Sequence, residues 1–144
     1  MEGTFYMLMY RAFHAQRNYL RSYLGETGLG TGQPKLISYL DSRGPCRQRD
    51  LAEYFEIDRA AVSRMLDSLE RGGFVTHQAD ENNRRADLVE LTDKGREANR
   101  ICQAHGREVE EAFVRGFSPE ERERFAEYLS RAYQNIKEIR GEKL

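Results

Sequence analysis

Apolar residues recur at helical spacing through residues 58–73, the segment DRAAVSRMLDSLERGG. At 100° per residue, four apolar side chains fall on one side, as in a helix packed on a core: Val62, Met65, Leu66 and Leu69. The opposite side carries Ala60, Ser63, Arg64, Asp67 and Arg71. Asp58 suits the N-cap, and Gly72 and Gly73 end the helix. The pattern predicts a helix with one packing face and one face free to contact another molecule.

The segments on either side of this helix give it a context. Gln48–Phe55 is predicted to be a second short amphipathic helix, joined to the first through residues 56–58, which makes a helix-turn-helix. Its apolar positions are Leu51, Ala52 and Phe55. Residues 74–78 and 87–91 are β-rich, and residues 79–86 between them are predicted to be a polar loop, a pattern typical of a hairpin. A hairpin directly behind a helix-turn-helix is a wing.

Longer amphipathic helices are predicted on both sides of this region. They cover residues 5–24, 33–42 with Pro34 in the first turn, 92–115 with Thr92 as cap, and 118–139. Ser118, Pro119 and Glu121 form a capping box with proline at the first helical position. The apolar faces at the two chain ends exceed what the small central lobe can cover, so a second copy of the chain is the predicted partner.

Two segments carry a family resemblance. Residues 44–75, GPCRQRDLAEYFEIDRAAVSRMLDSLERGGFV, and residues 82–95, NNRRADLVELTDKG, resemble the MarR family of winged-helix transcription regulators. The family has an acidic-x-Arg wing tip and a Leu-Thr-x-x-Gly exit. This chain departs at Asn83, which supplies no charge to aim Arg85. It also has Ala60 and Ala61, where many relatives carry hydroxyl residues early in the recognition helix.

The resemblance implies a mainly α fold, with a winged helix-turn-helix, a small antiparallel β wing and long terminal helices that form a dimer lobe. Residues 1–144 are expected to form one MarR-type domain. Within it, residues 33–92 would be the DNA-binding lobe, and residues 1–32 and 93–144 the dimerisation lobe. The length of 144 residues is also that of one domain.

The net charge of the chain argues mildly against DNA binding, whereas the placement of its arginines argues for it. The chain has a formal net charge of −1, and even residues 43–92 hold more acidic than basic side chains. The arginines nevertheless cluster on the predicted reading elements, and phosphate contacts are local. The predicted DNA-contacting residues are Gln48, Arg49, Arg59, Ala60, Ser63, Arg64, Arg84 and Arg85.

The resulting hypothesis is a sequence-specific regulator that binds a palindromic double-stranded DNA operator as a homodimer. In family terms it would be a repressor relieved by a small, often aromatic, effector. The alternative is a winged helix used only for protein contact. A continuous basic stripe favours DNA and an exposed apolar stripe favours a protein partner. No constellation of nucleophile, base and orienting group predicts an enzyme, and no cofactor is expected.

Tyr10, His14 and Arg17 lie on one side of the first helix, and we interpret them as an effector pocket or, alternatively, as a solvated face. The resemblance places Cys46 in a short strand beside the wing, and we expect its thiol to be buried and inert. Reactivity would need a pKa lowered by Arg47 or Arg49. Cys102 and His105 are three residues apart, a spacing that allows both to bind one metal ion. No metal is predicted, because a structural zinc site needs four ligands and only these two lie near each other in the sequence. The chain has no long apolar run and no secretory leader, so a cytoplasmic protein is expected.

Overall fold

The computed structural model describes residues 3–80 and 83–142, without the side chains of residues 80, 83–87 and 142. The chain divides into two compact units, Met1–Val109 and Glu110–Leu144. Six α-helices and three strands occur among the described residues. In chain order they are α1 (Phe5–Arg21), α2 (Pro34–Arg43), β1 (Cys46–Arg47), α3 (Gln48–Phe55), α4 (Arg59–Arg71), β2 (Val75–Asp80), β3 (Asn83–Leu91), α5 (Asp93–Phe113) and α6 (Pro119–Glu142). The mainly α fold with a small antiparallel wing is confirmed.

The three strands form one antiparallel sheet in the order β1-β3-β2. Cys46 pairs with Val89, which confirms the predicted short strand beside the wing, and Val75 pairs with Leu91. The predicted loop over residues 79–86 is wrong for residues 79–80, which belong to β2, and for residues 83–86, which belong to β3; residues 81 and 82 lie outside the described residues. Polar residues satisfy their backbone groups by cross-strand pairing as well as apolar ones do, and an apolar alternation cannot reveal such a strand.

The core lies between α2, α3, α4 and the sheet, in the first unit. Its fully buried residues are Leu36, Ile37, Leu51, Val62, Leu66, Leu69, Val75 and Val89. The predicted inward faces of these helices are therefore confirmed, while Met65 is only partly buried at the edge of the core. Burying a leucine or valine side chain contributes about 1.5–3 kcal/mol, so this cluster fixes the positions of α3 and α4.

The helices toward the chain ends have apolar faces that the described chain leaves exposed. α1 has no buried residue and ends at Arg21 rather than at residue 24, because a short 3-10 helix, Leu24–Glu26, follows it. In the second unit the predicted capping box begins α6, with Ser118 and Glu121 exchanging two hydrogen bonds of 3.1 Å. The exposed apolar side chains of α6 are Phe125, Tyr128, Leu129, Tyr133, Ile136 and Ile139.

Candidate nucleic-acid interface

The first turn of α4 is held by two polar contacts. The Asp58 carboxylate accepts from the amides of Ala60 (2.8 Å) and Ala61 (3.2 Å), which confirms the predicted N-cap. Gln48, at the start of α3, donates its side-chain amide to the Arg59 carbonyl at 3.2 Å. The beginnings of α3 and α4 are therefore tied together, and one polar group of Gln48 is used inside the protein.

The turn between α3 and α4 contains a left-handed residue other than glycine. Glu56 has φ 56° and ψ 45°, and its amide donates to the Ala52 carbonyl. A side chain in this region costs about 1 kcal/mol or more relative to the right-handed conformation. The surrounding core holds this turn, which sets the angle between the two helices.

The outward face of α4 is polar and cationic. Arg59, Ala60 and Arg64 are exposed, Ser63 is half-buried, and Arg49 of α3 is also exposed. Among the described residues, no hydrogen bond or ion pair engages the guanidinium groups of the three arginines. These donors are therefore available to an anion or to a base edge.

α4 ends in a Schellman motif. Phe74 donates its amide to the Leu69 carbonyl (2.9 Å), and Gly73, with φ 80°, donates to the Glu70 carbonyl (3.0 Å). The Phe74 ring lies against Gly72, where a Cβ atom would come within 2.7 Å of the ring. The two glycines are therefore required for different reasons, one by its dihedral angle and one by a close approach.

The wing carries two of the predicted contact residues. Arg84 and Arg85 belong to β3, but their side chains lie outside the described residues. At the base of the wing, Gln78 donates to the Glu90 carboxylate at 2.6 Å. His77 lies 3.0 Å from the Glu70 carboxylate, so β2 also contacts the last turn of α4.

A cavity of about 410 Å³ lies beside α1 and the start of α2. Its lining residues include Phe13, Arg17, Leu20, Arg21, Lys35 and Met65. Of the predicted effector residues, only Arg17 lines it. Tyr10 and His14 do not, and their rings instead stack on each other at 6.0 Å. Burial lowers the pKa of Lys35, and neighbouring Arg17 lowers it further, so the cavity holds cationic groups that an anion would stabilise.

Sequence reasoning missed Lys35. It follows Pro34 in the first turn of α2, and its contribution depends on α1 packing across it. A short-range apolar pattern does not contain that information.

The thiols and histidines of the described residues are not grouped as metal ligands. Burial, followed by the charge of Asp50, raises the pKa of Cys46 to about 11, opposite to the shift that Arg47 or Arg49 would have caused. Burial also raises the pKa of Cys102.

In the described ranges 3–80 and 83–142, no three His, Cys, Asp or Glu side chains are grouped to hold a metal ion. Within the same ranges, none of the helices could span a lipid bilayer.

Comparison with known proteins agrees with this geometry. Residues 32–86 match the sequence model of the MarR family. The chain is 32% identical over 113 residues to the uncharacterized HTH-type transcriptional regulator YdgJ of Bacillus subtilis (strain 168), an alignment that covers 78% of this chain and 69% of YdgJ.

Two solved structures share the fold. The transcriptional regulator SlyA superposes with a TM-score of 0.90 at 23% identity, covering 95% of this chain and 96% of that chain. A MarR family regulator from Listeria monocytogenes, solved in complex with a 26mer DNA, has a TM-score of 0.86 at 21% identity, covering 96% and 92%. Because its identity to YdgJ extends over most of both proteins and the family match spans the helix-turn-helix, this chain belongs to the MarR family, whose members are transcriptional regulators and not enzymes.

Proposed function

We propose that the protein is a cytoplasmic, homodimeric regulator that binds double-stranded DNA sequence-specifically, with α4 in the major groove. The observation that carries this proposal is the outward face of α4, where exposed Arg59 and Arg64 flank Ala60 and Ser63. Arginine reads guanine edges, and alanine can contact a thymine methyl group. The Listeria relative, which shares the fold, was solved in complex with a 26mer DNA, and this supports DNA as the partner. Gln48, Arg49, Arg84 and Arg85 would contact the flanking backbone and the adjacent minor groove.

A protein-interaction module is the rival function, and the same face argues against it. Among the described side chains of residues 33–92, Tyr54 is the one large apolar side chain that is exposed, and it lies on α3 rather than α4. A protein-binding helix would present an apolar stripe at its centre. A polar and cationic face fits nucleic acid better.

Residues 33–92 would read the DNA, while residues 1–32 and 93–144 would dimerise within a single functional domain. The support is the apolar surface of α1 and, separately, of α6, where Phe5 is 80% and Ile136 is 64% exposed. Each surface needs a cover, and a second copy supplies one by symmetry.

Sedimentation should show a dimer at micromolar concentration. Ile136→Gln should weaken it and Glu138→Gln, on another side of α6, should not; a wild-type monomer would contradict dimerisation.

Regulation would come from a small aromatic acid in the 410 Å³ cavity, which relieves repression. Phe13, Leu20 and Met65 offer apolar contact, while Arg17 and Lys35 can pair with a carboxylate. Such a ligand shifts the dimer away from DNA only if it binds the two conformations with different affinities. Thermal shift against a panel of aromatic acids tests this. A hit should be lost in Arg17→Ala and Lys35→Ala and kept in His14→Ala, whereas a hit unaffected by the first two variants places the site elsewhere.

Selection of bound duplexes from a random pool tests the function as a whole. A palindrome with two equal half-sites is the expected product, because a twofold dimer presents two copies of α4. Binding without any enriched sequence would leave only nonspecific affinity. The absence of binding at low salt would refute the DNA-binding proposal.

A further inference from the structure

The start of α5 lies against the end of the recognition helix α4. The Thr92 hydroxyl donates to the Gly73 carbonyl at 2.6 Å, and the Lys94 ammonium donates to the Gly72 carbonyl, also at 2.6 Å. The Thr92 amide donates to the Phe74 carbonyl at 3.0 Å. Three carbonyls at the end of the α4 Schellman motif are therefore satisfied by Thr92 and Lys94. Both belong to residues 92–95, which we name the 92–95 turn.

The same turn closes its own helix and packs tightly. The Thr92 oxygen accepts from the Gly95 amide at 3.1 Å, so one hydroxyl group begins α5 and holds the end of α4. A Cβ atom at Gly95 would meet the Phe74 carbonyl oxygen at 2.2 Å, which shows how closely the two backbones approach. The Lys94 ammonium also lies 4.6 Å from the centre of the Phe74 ring.

We propose that Thr92 and Lys94 are positioning residues that set the orientation of α4 for sequence-specific DNA recognition. Lys94 places a positive charge at the negative end of the α4 dipole, and its hydrogen bond to the Gly72 carbonyl is charge-assisted. Together with the short hydrogen bond from the Thr92 hydroxyl to the Gly73 carbonyl, it fixes that end of the helix. α4 is then held at both ends by polar contacts, through Asp58 at its start and through the 92–95 turn at its end. A displacement of the first turn of α5 is passed to α4 through these bonds.

This inference rests on the proposed DNA-binding function and makes a distinct prediction about it. Positioning residues affect the alignment of base contacts, so their loss lowers specific affinity and spares nonspecific affinity. The loss of a phosphate contact differs from this, because it weakens binding to all duplexes alike and reduces the salt dependence of the affinity. General destabilisation changes the folded fraction and leaves the specificity ratio of the folded protein unchanged.

The test uses matched variants of the full chain. Thr92→Val removes the hydroxyl group without a change of charge, and Thr92→Ser restores it. Ser118→Ala is the control, because it removes a helix-capping hydroxyl in the second unit, where Ser118 caps α6. Lys94→Met is compared with Lys94→Arg, which keeps a cationic donor.

With the operator selected above, Thr92→Val and Lys94→Met should each weaken specific binding about tenfold, the size of one misaligned base contact. Affinity for a random duplex and the salt slope should stay as in the wild type, and Thr92→Ser, Lys94→Arg and Ser118→Ala should bind normally. Equal losses on both duplexes, a smaller salt slope for Lys94→Met, or an equal effect of Ser118→Ala would overturn the proposal.

Hydrogen exchange of the DNA-free protein separates this proposal from the function on which it rests. The amides of Gly73 and Phe74, which close the Schellman motif, should exchange faster in Thr92→Val than in Ser118→Ala. Unchanged exchange at these amides would overturn the positioning role even if the wild type binds DNA. A wild type that selects no operator would refute sequence-specific DNA binding, whatever the exchange shows.

Discussion

Replacing Gly95 with alanine places a methyl group where the fold has no room for one. Gly95 is buried in the first turn of α5, and its added Cβ atom would lie 2.2 Å from the Phe74 carbonyl oxygen and 2.8 Å from Leu91 Cδ2. An ordinary contact is longer than 3 Å, and the carbonyl is backbone that cannot rotate away. Either α5 or the strand entry at Phe74 must therefore move by about an ångström.

The magnitude follows from two opposing effects. Overpacking of this kind costs about 1–3 kcal/mol. Alanine regains about 0.5–1 kcal/mol over glycine within a helix. Because the neighbour at 2.2 Å is backbone, the upper part of the overpacking range applies, and the expected net loss is about 1–2.5 kcal/mol. This is a sizeable part of the roughly 5–15 kcal/mol that stabilises a domain. For a chain of this length, that loss lowers the Tm by roughly 2–10 °C.

Gly106→Ala is the control, because it lies in the same helix α5 and, among the described residues beyond its own stretch of helix, no atom lies within 4 Å of its added Cβ atom. That variant should raise the free energy of unfolding by about 0.5–1 kcal/mol. Thermal and urea unfolding followed by circular dichroism, at one protein concentration for all variants, measures both changes. Opposite signs are expected. A Gly95→Ala variant as stable as Gly106→Ala would refute the close approach between the 92–95 turn and Phe74.

The remaining predictions concern DNA binding and thiol chemistry. Arg64→Ala should weaken operator binding by about 1–3 kcal/mol in a titration, and an unchanged affinity would mean that α4 is not the reader. Arg85→Ala should lower the salt slope by about one phosphate equivalent per subunit and Arg84→Ala by less, whereas an unaltered slope for Arg85→Ala would keep the wing away from DNA. Because burial raises the pKa of Cys46 to about 11, its thiol should react slowly with alkylating reagents at pH 7, and fast alkylation of the folded protein would contradict that burial. In the unfolded chain the Cys46 thiol ionises near its ordinary pKa of 9.0. Its contribution to the free energy of unfolding is therefore complete below pH 9 and falls as the pH rises toward 11. Urea unfolding across that pH range would show this fall.

The parts of the fold that were predictable depend on neighbours in sequence. The N-cap at Asp58 and the capping box at Ser118 are formed between residues three apart or fewer, so short motifs reveal them. The buried faces of α2 and α4 follow from the 3.6-residue period. The length of the wing does not, because its outer part is polar in both strands and is stabilised by cross-strand bonds.

The candidate site shows the same division. The exposed position of Arg64 follows from the apolar stripe on the opposite side of α4, whereas Arg59 is exposed as the first residue of that helix. The roles of Lys35 and Lys94 depend on contacts between elements distant in sequence, and Lys94 lies 22 residues from the carbonyl that it satisfies. A lone surface-type lysine gives no sign of such a partner. Tyr10 and His14 share a side of α1 with Arg17, yet the cavity opens nearer Phe13 and Leu20.

The two-sided construction of α4 has a consequence for engineering new operator preferences. Val62, Leu66 and Leu69 are fully buried, and the helix ends in a Gly72–Gly73 pair that no other residue type can replace without strain or a clash. A mutant library aimed at altered specificity can therefore vary positions 59, 60 and 64, whose side chains are exposed, at little cost in stability. Diversity at the buried positions or at the glycine pair would consist mostly of clones that fail to fold.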